Sequence, residues 1–102
     1  MAEKGEERKD ILSKIIESLR KLAENGDFAY TLRDYAFRLM GLHNVDQDLY
    51  EEERMSFLYF LKSAGVDPKI IDEVAGLRWR ELRRVLVSII PYLNIKAQQG
   101  GG

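Results

Sequence analysis

FAYTLRDYAFRLMG, residues 28–41, sets both the fold of this chain and the question of what it does. On a helix of 3.6 residues per turn, Phe28, Leu32, Tyr35, Ala36 and Leu39 share one face, the mark of a helix with a core side. Tyr30 and Phe37 do not fit that face. They lie on the opposite side, seven residues apart, with Arg33 between them and Asp34 alongside. Two rings around an arginine, where water is expected, call for an explanation from the rest of the chain.

On either side of this stretch, every segment has helical spacing. Leu12, Ile15, Ile16, Leu19, Leu22 and Ala23 give a first helix, with Asp10 as its cap and Gly26 as its stop. Asp27 is the expected cap of the second helix, 28–40, which ends at Gly41. LHNVDQDL is a polar loop, and a third helix begins near Asp48 and runs to Gly65. Its first turns carry Glu51, Glu52 and Glu53, where acids suit the helix dipole. Asp67 and Pro68 open a short fourth helix, KIIDEVA, that stops at Gly76. The fifth, LRWRELRRVLVSII, is expected to end before Pro91. No segment alternates as a strand would. The expectation is an all-α protein, a compact bundle of about five helices in one domain over 10–93. A flexible N-terminus (1–9) and a flexible tail (94–102) flank it.

Composition narrows the functional classes. The chain has 102 residues, 45% hydrophobic and 32% charged, and no cysteine. Dense Glu, Lys and Arg without cysteine fit a heat-adapted protein. Disulfides, thiolate chemistry and sulfur-based zinc sites are excluded. No apolar run approaches the roughly 18 residues of a membrane span, and the charged opening is no signal peptide, so a cytoplasmic protein is expected. Net charge is −1, yet residues 78–96 hold five basic residues and one acid. That segment is +4 and the remainder −5, a polarity that points to a partner or to self-association.

The basic side of the fifth helix is the main source of this polarity. Trp79, Leu82, Val85, Leu86, Ile89 and Ile90 form its apolar arc, with Arg80, Arg83, Arg84 and Val87 opposite. With Arg78, four arginines fall within seven residues. Arginine's planar fork suits phosphate better than lysine does, although such a face is also what a merely solvated helix looks like. Helices four and five share the spacing of a helix-turn-helix unit through Ile71, Gly76, Leu77, Leu82 and Val85, with the arginines on the recognition helix. Asp72 departs from it, a carboxylate where a small residue should let the helices close.

The third helix has two apolar faces. Tyr50, Phe57, Phe60, Leu61 and Ala64 form one, and Met55, Leu58 and Tyr59 the other. Such a helix is central or half in an interface, and the central placement is expected here. Tyr30, Arg33 and Phe37 are either covered by a terminal helix or form a platform on which unpaired bases stack, at about 1–3 kcal/mol per base.

Catalysis has little support. His43 is the sole histidine, and Asp46, Asp48 and Glu51 beside it read as caps of the third helix rather than metal ligands. No phosphate loop, nucleophile elbow or zinc motif occurs. The expectation is a non-enzymatic protein without cofactor, metal or small-molecule substrate.

DILSKIIESLRKLAENGDFAYTLRDYAFRL, a leucine-rich helix leading through a Gly-Asp turn into a Tyr/Arg-rich one, followed later by a basic helix, resembles the small all-helical subunits of CRISPR surveillance complexes. The likeness is in particular to the archaeal type I-A small subunit, over residues 11–93. The resemblance implies a multi-copy, non-enzymatic subunit of an antiviral ribonucleoprotein that helps hold a guide–target duplex or displaced strand. It assigns no individual residue a role.

From the residues themselves, Arg78, Arg80, Arg83, Arg84, Arg33, Tyr30 and Phe37 are the candidate nucleic-acid contacts. Met55, Leu58, Tyr59, Glu51 and Glu52 are the candidate protein interface. The acidic stretch from Asp46 to Glu53 and the arginine face suggest copies joined in a row, alongside other subunits and away from membranes. A helix-turn-helix regulator, and an adaptor or viral structural protein, are the alternatives.

Overall fold

The computed structural model describes the backbone of residues 2–101 and the side chains of residues 10–93. It contains five helices: α1 (Ala2–Leu22), α2 (Gly26–His43), α3 (Gln47–Ser63), α4 (Pro68–Ala75) and α5 (Trp79–Gly101). There is no strand among the described residues. The expected flexibility of residues 1–9 and 94–102 lies outside the described side chains. The helical backbone nevertheless starts well before Asp10 and ends well after Pro91.

Several helix boundaries differ from those the sequence suggests, beginning with α1, in which Asp10 lies inside the helix and is not its cap. The cap of α2 is Asn25, whose Oδ1 accepts the N–H of Asp27 at 2.9 Å and of Phe28 at 3.2 Å. Asparagine caps as well as aspartate does, so the helix begins earlier than expected, and Asp27 serves the dipole of its first turn. Gly26 is thus a start and not a stop. α2 also runs through Gly41 to His43, and α3 is capped by Asp46, which accepts Leu49 N–H at 3.1 Å. Finally, α5 passes through Pro91. A proline inside a helix removes one hydrogen bond and crowds the carbonyl four residues back. Here Pro91 and Val87 are both on the solvent side, while Ile89 and Leu93 are fully buried on either side of the proline. Continuous core contact outweighs the local break.

The helices close a circuit. α2 and α5 form the most extensive pair, α1 packs on α5 and α4, and α3 packs on α2 and α4. Ala29 and Ala36, both fully buried, keep side-chain bulk off the packed side of α2. The α2–α3 contact is a ladder of rings: Phe28 on Phe60 at 5.1 Å, Tyr35 on Phe60 at 5.4 Å, and Tyr35 against Phe57 at 5.6 Å. Ring pairs of this kind add about 0.5–1.5 kcal/mol beyond area burial. α3 is therefore not central, contrary to expectation. Its second apolar face is open, with Met55 57% and Tyr59 66% exposed.

One end of the bundle is tied by a network the sequence did not suggest. His43 stacks on Trp79 at 4.5 Å, and Tyr50 meets both edge-on at 5.0 and 5.3 Å. Arg54 donates to the Tyr50 hydroxyl at 3.2 Å, to the carbonyls of Val74 and Ala75 at 3.3 and 3.1 Å, and to that of Leu77. It thereby caps the C-terminus of α4, whose carbonyls have no helical partner. Replacing Arg54 with Met keeps the aliphatic stem and deletes these charged donors. We expect Arg54→Met to cost about 1.5–3 kcal/mol in urea unfolding followed by helical ellipticity. A cost below about 0.5 kcal/mol, the usual range of surface substitutions, would show that the network holds nothing together.

Candidate nucleic-acid interface

The phase of α5 places its arginines as the sequence indicates. Arg80, Arg83 and Arg84 are exposed, while Leu82, Leu86 and Ile89 are buried. Among the described residues, none of these three arginines is in an ion pair with the chain's own acids. Trp79, expected in the core, is half-buried because it sits at the helix start against His43 and Tyr50. Arg78 is exposed, and its N–H donates to Glu81 Oε1 at 3.1 Å, half of a capping box that starts α5.

On α2, Tyr30 is 59% and Phe37 53% exposed, so neither ring is covered by a described terminal helix. The Arg33 guanidinium lies 5.4 Å from the Tyr30 ring centroid, an attractive cation–π pair. The neighbouring acid of α2 is held elsewhere. Asp34 pairs with Arg38 at 3.1 Å, and Arg38 reaches Glu53 of α3 at 3.5 Å.

These two helices present adjoining outer faces. The His43–Trp79 stack joins the last residue of α2 to the first of α5, so the pair runs antiparallel. α1 packs on α5, α3 packs on α2 and α4 links α1 to α3, while among the described residues Tyr30 and Phe37 of α2 and Arg80, Arg83 and Arg84 of α5 stay exposed. Counted from that stack at 1.5 Å per residue, Phe37 and Val85 both lie about 9 Å along. Phe37 is thus level with Arg83 and Arg84, and Tyr30 lies roughly 10 Å farther on, past Arg33. The result is a strip whose α5 arginines lie at one end beside Phe37, with Arg33 and Tyr30 continuing it toward the other.

The proposed helix-turn-helix pair is arranged differently from that motif. α4 makes its main contacts with α1 and α3 rather than with α5. Gly76 has φ −87°, and a Cβ there would meet the Asp72 and Glu73 carbonyls only at 3.7 Å, so the turn does not require glycine. Asp72 is exposed, which accommodates the carboxylate that the close-packed motif would not.

The interface candidates lie on another side. Glu51, Glu52, Met55 and Tyr59 are exposed, and Leu58 is partly buried. Met55, Leu58, Tyr59, Lys62 and Ile71 line a shallow groove of about 150 Å³ between α3 and α4. His43 is occupied by its ring contacts and Asp46 by its cap, and Asp48 and Glu51 face solvent. Among the described residues no His, Asp and Glu group is arranged to hold a metal ion, and no helix is long and apolar enough to cross a membrane.

Comparison of the chain with protein-family models, with curated proteins and with solved structures finds no match in any of the three.

A ring that is functional rather than structural should be removable. Tyr30→Ala and Phe37→Ala are each expected to change unfolding free energy by no more than about 0.5 kcal/mol. A cost above about 1.5 kcal/mol for either would assign that ring to packing.

Proposed function

We propose that this protein is a non-catalytic, nucleic-acid-binding subunit whose site is the uncovered face of α2 and α5. The observation that carries this reading is the exposure of Arg80, Arg83 and Arg84 on α5 together with that of Tyr30 and Phe37 on the adjoining α2, where half-buried Arg33 lies over the Tyr30 ring. Exposed guanidinium groups at one end suit backbone phosphates. Rings at the other end suit bases that are not already stacked in a duplex, and they do so without reading sequence. Single-stranded nucleic acid is the ligand that uses both. The resemblance to CRISPR small subunits supports a place in a cytoplasmic ribonucleoprotein, with several copies along one strand and other subunits beside them. In that setting the protein would steady a displaced strand or a guide–target duplex.

Helix-turn-helix binding of duplex DNA would use Arg78, Arg80, Arg83 and Arg84 but give Tyr30 and Phe37 no task. Its pairing of α4 with α5 also lacks the support of the observed packing. An adaptor or viral structural role would use the same arginines against an acidic protein.

Fluorescence anisotropy with a labelled single strand and the matching duplex tests the proposal. Single-strand affinity should exceed duplex affinity and fall as salt rises. Arg83→Gln combined with Arg84→Gln should flatten the log–log salt dependence by about 0.7 for each phosphate that is no longer neutralised. Tyr30→Ala or Phe37→Ala should weaken binding by about 1–3 kcal/mol. Absence of binding overturns the proposal, and duplex preference that ignores both rings restores the helix-turn-helix reading.

A further inference from the structure

The outward stripe of α3 has an order that its composition alone does not reveal. From its N-terminal end it reads Glu51 and Glu52, then Met55, Leu58 and Tyr59, then Lys62. At 3.6 residues per turn these residues share one side of the helix, opposite buried Tyr50, Phe57 and Leu61. Acid, apolar, base is a self-complementary sequence when two such helices lie antiparallel. We infer that a second copy of this chain covers the stripe, through a two-fold pairing of α3 with α3 of the partner copy.

The register follows from the charges. Setting Glu52 against the other copy's Lys62 puts the two-fold axis at the level of residue 57. The same axis then brings Met55 opposite Tyr59 in both directions. Thioether–aromatic contacts are favourable, and antiparallel helices oppose their dipoles favourably as well. The groove formed by Met55, Leu58, Tyr59, Lys62 and Ile71 offers the incoming ring a recess.

Head-to-tail contact between α3 and the arginine face answers the charges less completely. Among the described residues of α5, Val87 is the one large hydrophobic residue exposed beside those arginines, at 48%, and the adjoining Phe37 belongs to the strand-binding strip. Met55 and Tyr59 would be left against guanidinium groups and water. Exposed ion pairs contribute only about 0–1 kcal/mol each, so the apolar middle decides the pairing. The stripe runs about 17 Å from Glu51 to Lys62 and is roughly one helix wide, which places the interface at the small end of specific contacts. The dimer is accordingly weak, in the micromolar range. It does not depend on what the α2–α5 strip binds.

Sedimentation over a concentration series tests the pairing with the full chain, each variant checked for unchanged helical ellipticity. Tyr59→Ala, Glu52→Lys and Lys62→Glu should each weaken dimerisation about tenfold or more. The double variant Glu52→Lys with Lys62→Glu should recover it to within about threefold, because both copies then carry the exchanged charges. A wild-type chain that stays monomeric at high micromolar concentration overturns the inference. So does a dimer broken by Arg83→Glu and indifferent to Lys62→Glu, which is the head-to-tail outcome. Affinity of Tyr59→Ala for a short single strand should equal that of the wild type, and a failure of strand binding in every variant would count against the nucleic-acid proposal alone.

Discussion

The contact between Arg54 and the end of α4 is the interaction on which the arrangement of the helices most depends. α4 has eight residues, too few to be stable by propensity, and its terminal carbonyls have no partner within the helix. Arg54 supplies a fixed cationic fork to those carbonyls and to Leu77. Through Tyr50 the same guanidinium is tied to His43 and Trp79, so one end of α2, of α3 and of α5 converges on it. The direction of α5, and with it the outward aim of its arginines, is set at this junction. The sole histidine spends its ring on this packing.

The surfaces that remain open are those the circuit of helices cannot cover. Each helix turns a stripe inward, and the buried residues of the described core are all hydrophobic side chains. α2 and α5 both keep exposed outer faces among the described residues, with Tyr30 and Phe37 on one and Arg80, Arg83 and Arg84 on the other. α3 has the packing partners α2 and α4, but among the described residues Met55 and Tyr59 stay exposed. Exposed apolar groups rimmed by charge are a common mark of interaction surfaces in proteins that are otherwise well packed.

Much of this could be read in the sequence because helical phase is a strong signal. The 3.6-residue periodicity separated Leu82 and Leu86 from Arg80 and Arg83, and Leu32 and Leu39 from Tyr30 and Phe37, as the structure has them. Local punctuation was less reliable. Asn25 and Asp27 are equally good caps on paper, and only their place relative to the packed Phe28 selects the first. Pro91 signals a stop whenever the burial on either side of it is unknown. The central placement of α3 failed for a related reason, since two apolar faces do not say which one finds a partner. Arg54 leaves no signal in the spacing, because its partners are backbone carbonyls some 20 or more residues away. Its position four residues after Tyr50 was the only local sign.

The circuit also has a geometric consequence for any pair of copies. The α2–α5 strip and the outward stripe of α3 lie on different helical faces, so occupying one leaves the other accessible. Two copies joined through α3 would present two strips on a single particle. A strand long enough to reach both would meet the second at the high effective concentration that a tether provides, and its hold would rise well above that of either strip alone. Weak sites that are individually easy to leave would then grip long strands and release short ones, a length selectivity that arises from avidity and needs no base to be read.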